Sequence, residues 1–267
     1  MDKKVKYSDK RVIEQFFKIV GGISTILSMI LIFADVPKEY KGIGAFGCFL
    51  VFLLLIYIVI WCKANSLIST KLSVGETTVI IKKGDVFKEE DCFKVIPFNE
   101  YFDTIVDDKI IAKKSLNGKY INNVYNDVNK LNQLIEEDKD LNNRENIVEE
   151  NVRRRNNIGK TTKYKLGSSV VIDEYVLTAF SHFNEENEAY LSMIDYINFL
   201  LTFWNEINRV YAQKSVTVPL FGAGITRFQG RFTNIDDSEL LMTMLWTFKL
   251  SETRFKYPAK LTIVIFE

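Results

Sequence analysis

The chain has 267 residues and a net charge of +1. That is enough for one ordinary domain plus an extra module, and it is too balanced for a global field aimed at nucleic acid or an acidic substrate. Three cysteines (Cys48, Cys62, Cys92) without a CxxC, and a single histidine (His182), argue against a disulfide framework, a zinc knuckle or a histidine-based metal site, and fit a reducing compartment.

The averages hide a split. Lys3, Lys4, Lys6, Lys10 and Arg11 open the chain, and residues 12–62 are mostly apolar. Residues 43–62 (IGAFGCFLVFLLLIYIVIWC) carry no charge and match a hydrocarbon thickness of about 30 Å at about 1.5 Å per residue. An earlier apolar run, 19–33, reaches a workable span by starting near residue 13, with Lys18 snorkelling to the interface. Without a small-residue cleavage site, and with a second span following at once, the pair reads as a transmembrane hairpin (spans about 13–33 and 43–62) rather than a signal peptide. Five basic residues precede it and Lys63 and Lys71 follow. Asp35, Lys38, Glu39 and Lys41 balance in the connector. The positive-inside rule then places both termini in the cytoplasm of a two-pass inner-membrane protein. Tyr40, Tyr57 and Trp61 suit the interfaces. Gly21, Gly22, Ser24, Thr25 and Ser28, with Gly42, Gly44, Ala45 and Gly47, give both spans small faces, suited to packing within the hairpin or between protomers. No acid or base lies mid-span, so an ion relay has no support.

Residues 67–267 read as a separate soluble domain after a 1–66 membrane module. Residues 77–82 are a strand. Residues 93–96 are a buried strand that Pro97 stops, and 119–137 are an amphipathic helix. The chain then turns polar, and the run Arg153, Arg154, Arg155 is a solvated face that can also meet anionic lipid. Residues 169–172 and 175–180 are strands around a turn at Asp173–Glu174. Residues 188–212 form a long helix with Tyr190, Ile194, Ile197, Leu201, Trp204 and Ile207 inward. Strand 215–220, helix 238–249 and the apolar strand 261–266 complete an α/β sandwich whose last strand is central.

Two loops are suited to a nucleotide. In Gly84-Asp85-Val86-Phe87, the Asp85 carboxylate and the Val86 amide can read an adenine edge. In Phe221-Gly222-Ala223-Gly224-Ile225-Thr226-Arg227-Phe228, small residues let successive amides form a nest for a diphosphate. There Thr226 can add a hydroxyl, and Phe228 can stack on a base or ribose.

With Val95-Ile96-Pro97-Phe98-Asn99 and Ser115-Leu116-Asn117-Gly118-Lys119 between them, these loops resemble the ligand loops of macro domains over residues 72–267. The resemblance implies a three-layer α/β/α fold that binds ADP-ribose, with Asn99 at the distal ribose and Asn117 and Gly118 at that ribose or the first phosphate. Gly222, Ala223, Gly224, Ile225 and Thr226 would hold the diphosphate. An added group on the ligand would lie near Tyr101, Asp103 or Lys119. The usual Asn-Ala-Ala-Asn and triple-glycine elements are reduced, which favours binding over hydrolysis. Behind two membrane helices, Phe98-Asn99-Glu100-Tyr101-Phe102-Asp103 resembles a narrower group, the transmembrane–macro effectors of Thoeris anti-phage defence. That implies a TIR-domain partner making an ADP-ribose-based signal from NAD, histidine-ADP-ribose in this branch. It further implies ligand-induced homo-oligomers that disrupt the membrane lipid, with no enzyme activity, cofactor or metal. A membrane-tethered ADP-ribosyl hydrolase using Glu100 or Asp103 as base is the alternative, and a membrane-anchored scaffold the third reading.

Overall fold

The structure is a computed structural model and describes residues 5–33, 42–152, 159–184, 186–251 and 259–266. The span connector at 34–41 and the run Arg153, Arg154, Arg155 lie outside the described residues. The chain divides into two compact units, Met1–Ile68 and Ser69–Glu267.

The first unit holds α1 (Lys10–Phe33) and α2 (Ile43–Asn65), both long and apolar enough to cross a membrane. They meet near one end. Val12 and Ile60 are buried, and Phe16 packs edge-on against Tyr57 at 5.4 Å. Tyr57 and Trp61 have a further role there. Tyr7 stacks on Trp61 at 4.3 Å, the Trp61 indole donates to the Val5 carbonyl (3.0 Å), and the Val5 amide donates to Asn65 Oδ1 (3.0 Å). The small residues do not close the hairpin. A Cβ added at Gly21, Gly22, Gly44 or Gly47 would meet nothing within 4 Å. Thr25 and Ser28 turn their hydroxyls back onto the Gly21 and Ser24 carbonyls of their own helix.

The second unit is built on a mixed sheet. Its strands are β1 (Ser69–Val74), β2 (Thr77–Lys83), β3 (Cys92–Asn99), β6 (Ser169–Ile172), β7 (Tyr175–Phe183), β8 (Ala189–Leu191), β9 (Ser215–Pro219), β10 (Arg227–Phe228) and β11 (Leu261–Ile265). The order is β1-β2-β11-β9-β3-β7-β8-β10, with β6 also on β7. A separate pair, β4 (Ile147–Glu149) and β5 (Lys163–Tyr164), lies apart. The run β2-β11-β9-β3-β7 is parallel, β1–β2, β6–β7 and β7–β8 pair antiparallel, and β8–β10 is parallel.

Alternation along the strands assigns two cores. Val79, Phe93, Val95, Val216, Val218 and Ile263 pack against α5 (Met193–Val210) and α6 (Asp237–Leu250). Ile96, Phe98, Leu177 and Val264 pack on the other face against a helical segment made of α3 (Leu116–Lys119), a π-turn over Tyr120–Tyr125 and α4 (Val128–Glu137). The result is the expected α/β/α sandwich, with β11 between β2 and β9.

Three expectations are corrected. Pro97 does not stop its strand, because the pairing of β3 with β9 ends at Lys94↔Thr217. A ring without an N–H is tolerated where one edge of the strand is no longer paired. The helix expected over 119–137 is broken. Asn126 takes a left-handed conformation (φ 61°), and Asp127 then caps α4 by accepting from the Lys130 amide (3.0 Å). Residues 188–212 are not one helix. Residues 189–191 are strand, and Ser192 and Asp195 form a capping box that starts α5 at Met193. Along α5, Trp204 and Ile207 are buried as expected, joined by Tyr196, Phe199 and Phe203, while Ile194 is 72 % exposed and Ile197 is also exposed.

Trp204 is fully buried, edge-on to Phe248, and its indole donates to Thr247 (3.1 Å). Trp204→Ala is expected to lower the stability of this unit by about 3–5 kcal/mol, read as a lowered urea midpoint of the full chain in detergent.

Candidate functional site

The parallel strands place one cleft. From β9 the chain crosses through α6 to β11 on one side, and from β3 it crosses to β7 on the other. The gap between β3 and β9 is therefore a topological switch point, where ligands bind at the carboxyl ends of strands. Pairing across it stops at Lys94↔Thr217, and Pro97 and Pro219 follow on the two strands. Neither can donate a ladder bond, so the strands part, and a cleft of about 290 Å³ opens at their ends.

The glycine-rich loop forms one wall. Its base is fixed: Phe221 is buried against Phe180, Phe199 and Phe203, and the Tyr196 hydroxyl donates to its carbonyl (3.0 Å). Burial pushes the Tyr196 hydroxyl far above the usual phenol range, so it stays a neutral donor. Gly222 turns the chain with φ +87°, and a Cβ there would lie 2.9 Å from the Phe228 ring. The Ala223 amide returns to the Leu220 carbonyl (3.3 Å). Beyond it Ala223, Gly224 and Ile225 are exposed, and Thr226 is half-buried. Gly222 to Thr226 all line the cleft.

The opposite wall is the segment from Ile110 to Lys119. Ser115 caps α3 by accepting from the Gly118 amide (3.1 Å), and Asn117 Oδ1 accepts from Ser115 Oγ (2.6 Å). Asn117 lines the cleft. Gly118 does not; it is buried, and a Cβ there would sit 2.3 Å from the Ala112 carbonyl oxygen, so it is a packing glycine.

Other sequence-expected residues fall at different depths. Asn99 lines the floor but is 2 % exposed. Its amide donates to Asp103 (3.0 Å), and its oxygen accepts from the amides of Tyr101 and Asp103 (3.0 and 3.2 Å). Asp85 Oδ1 accepts from the Phe87 amide (3.1 Å), capping a short turn, and Val86 is buried in the second core. Neither lines the cleft, though the Gly84 amide bonds the Ile265 carbonyl (3.0 Å), one residue from Phe266 on its rim. Phe228 lies beneath the loop and does not line the cleft. It is 6 % exposed, edge-on to Tyr196 and under Gly222.

Tyr101 and Asp103 are buried away from the cleft, whereas Lys119 lines it, its ammonium 4.4 Å from the Phe266 ring centroid. Sequence reasoning missed Phe180, Phe183, Lys114, Asp237 and Phe266. The terminal strand itself was the signal for Phe266, which follows it directly. Glu100, fully buried, binds His182 Nδ1 (2.5 Å), Lys163 Nζ (3.2 Å) and the Phe183 amide (3.2 Å), and it does not line the cleft. Among the described residues no group of three or more His, Cys, Asp or Glu side chains is placed to hold a metal.

A three-layer sandwich whose small, mixed polar and aromatic cleft lies at the switch point defines a ligand-binding domain of macro type. The profile of the family described as "Thoeris protein ThsA, Macro domain" matches residues 79–266, and the chain belongs to that family. A Thoeris protein ThsA from Bacillus amyloliquefaciens (strain Y2) is 43 % identical over 217 residues, 80 % of this chain and 71 % of the relative. Among solved structures, an Oceanobacillus iheyensis macrodomain variant overlaps 75 % of this chain and 90 % of its own at 11 % identity and a TM-score of 0.46. A second variant, with ADPR, overlaps 74 % and 89 % at 14 % identity and 0.44.

The two glycines of the loop should respond differently. Gly222→Ala is expected to destabilise by about 1–3 kcal/mol, because φ +87° strains any side chain and Phe228 is in the way. A Cβ at Gly224 meets nothing within 4 Å, so Gly224→Ala should stay within about 0.5 kcal/mol of the parent in chemical denaturation.

Proposed function

We propose that this chain is a membrane-anchored receptor and effector of anti-phage defence, whose cleft takes an ADP-ribose-derived signal on the cytoplasmic side of the inner membrane. The observation that carries the reading is the cleft at the β3–β9 gap, with a loop of exposed small residues on one wall and Asn117 and Lys119 on the other. Membership of the ThsA macro-domain family supports the nucleotide. In this reading the amides of Gly222, Gly224, Ile225 and Thr226 hold the diphosphate, Ala223 lines the same loop with its amide on the Leu220 carbonyl, and Lys119 adds a cation beside the phosphates. Asn117 and the Asn99 floor meet the distal ribose, and the Asp85–Val86 turn reads the adenine edge at the Phe266 rim. The group beyond the distal ribose, an imidazole-bearing histidine in our reading, meets Phe180, Phe183 and Lys114. Gly118 and Phe228 hold the two walls in place.

The signal comes from NAD by way of a TIR-domain partner, the ThsB protein of a Thoeris pair. Occupied domains then assemble as homo-oligomers through the helix pair, and the membrane is breached, with cell death or growth arrest. Only a ligand that favours the assembled state over the resting one can drive this step, and a shift from 1:99 to 99:1 needs about 10⁴-fold differential affinity.

The hydrolase reading needs a base at the distal ribose. Glu100 and Asp103 are both fully buried, neither lines the cleft, and each is engaged by protein partners: Glu100 by His182 and Lys163, Asp103 by Asn99 and the Lys160 amide. We infer binding without turnover.

Gly224→Val leaves the fold room and fills the nest. The variant should keep its melting temperature without ligand and lose at least tenfold in affinity for ADP-ribose by calorimetry; unchanged affinity would remove the loop from the site. In dye-loaded liposomes carrying the full chain, histidine-ADP-ribose should trigger release, and ADP-ribosylated protein added to the same sample should yield no free ADP-ribose over hours. Catalytic release of ADP-ribose without leakage would instead support the hydrolase.

A further inference from the structure

The polar residues at the start of α1 lie on one side of the helix. Arg11, Glu14 and Lys18 fall at i, i+3 and i+7, and at about 100° per residue the same face continues through Gly22 and Thr25. All five are exposed. The side that meets α2 is marked by buried Val12 and by Phe16 against Tyr57, and it lies well around the helix from this stripe.

Length makes the stripe matter. The uncharged part of α1, residues 19–33, covers only about 22 Å at about 1.5 Å per residue, against about 30 Å for the hydrocarbon core and for α2 from residue 43 to 62. If α1 spans beside α2, as the proposed function holds, its first turns enter the inner leaflet with Glu14 and Lys18 on the side turned away from α2. Ionised side chains facing acyl chains are costly and normally face other protein or water. The helix α2 has no charge from residue 43 to 62 and offers no complement. A second α1 does: its plus–minus–plus pattern sets Glu14 of one helix against Arg11 or Lys18 of the next. One turn on, Gly21 and Gly22 lack any neighbour within 4 Å of a Cβ position and let two helix backbones approach closely.

We propose that the stripe Arg11–Glu14–Lys18, continued by Gly22 and Thr25, is the surface through which α1 of one copy of this chain packs on α1 of another within the membrane. The inference rests on the proposed function only for the membrane-spanning arrangement, and it leaves open the identity of the signal.

The test is association of the full chain in liposomes, followed by energy transfer between labelled copies over a range of protein-to-lipid ratios, with and without ADP-ribose. Binding of ADP-ribose is measured in the same samples. Glu14→Lys makes the stripe wholly positive and should weaken association at least tenfold. The double exchange Glu14→Lys with Lys18→Glu restores a complementary pattern and should return association to within about threefold of the parent. Gly22→Leu, which meets nothing in the single hairpin, should weaken association without loss of helix by circular dichroism. Parent-like association of Glu14→Lys or Gly22→Leu, failure of the double exchange to restore it, or no association of the parent in either condition would overturn the proposal. Parent-like association of Glu14→Lys is the result expected if the charged side chains only snorkel to head groups. If the stripe variants behave as expected while ADP-ribose does not bind, the receptor reading fails and this surface stands.

Discussion

The soluble unit is organised around the place where two parallel strands stop pairing. Up to Lys94 and Thr217, β3 and β9 share a ladder; beyond it each strand carries a proline that cannot donate to the other. A central sheet that ran on with full pairing would have no opening at its middle. The crossovers from β9 to β11 and from β3 to β7 run in opposite directions from this point. The cleft is thus a consequence of backbone chemistry at two residues, and its walls are whatever loops follow those strands.

Rigidity is then distributed unevenly around the opening. The glycine loop is anchored at Phe221 by an aromatic cluster and by a buried tyrosine that holds its proton, while Ala223, Gly224 and Ile225 at its tip are exposed. The facing segment is pinned by Ser115 and by the close approach of Gly118 to the Ala112 carbonyl. Asn99 spends its amide on the turn that follows β3, which fixes the floor. A site built this way loses little freedom when a ligand arrives, so less of the contact energy goes into ordering the loops.

Much of this was legible in the sequence for identifiable reasons. The strands at β2, β6, β7, β9 and β11 are short apolar runs bounded by turn residues, and the turn at Asp173 takes the left-handed conformation that Asp tolerates. The glycine loop was legible because small residues after a strand have few other uses. The rest was not. The α5 segment carries apolar residues in two phases, and only packing decides that Tyr196 and Phe199 go inward while Ile194 stays out. Its start was encoded in Ser192 and Asp195, a cap signature that a hydrophobic count passes over. Phe228 and Gly118 belong to the two loops that wall the cleft yet are buried and do not line it, and direction within a loop is not periodic. Two-residue β10 has too little pattern to be seen.

The central claim is that the nest at the head of β9 is where an ADP-ribose moiety is held. Hydrogen exchange of the full chain in detergent, read peptide by peptide with and without saturating ADP-ribose, tests it most directly. The account expects slowed exchange at residues 222–226 and 115–119 and no change along β6 or the outer face of α5. Saturable binding with protection confined to other regions, or no protection at all, would contradict it.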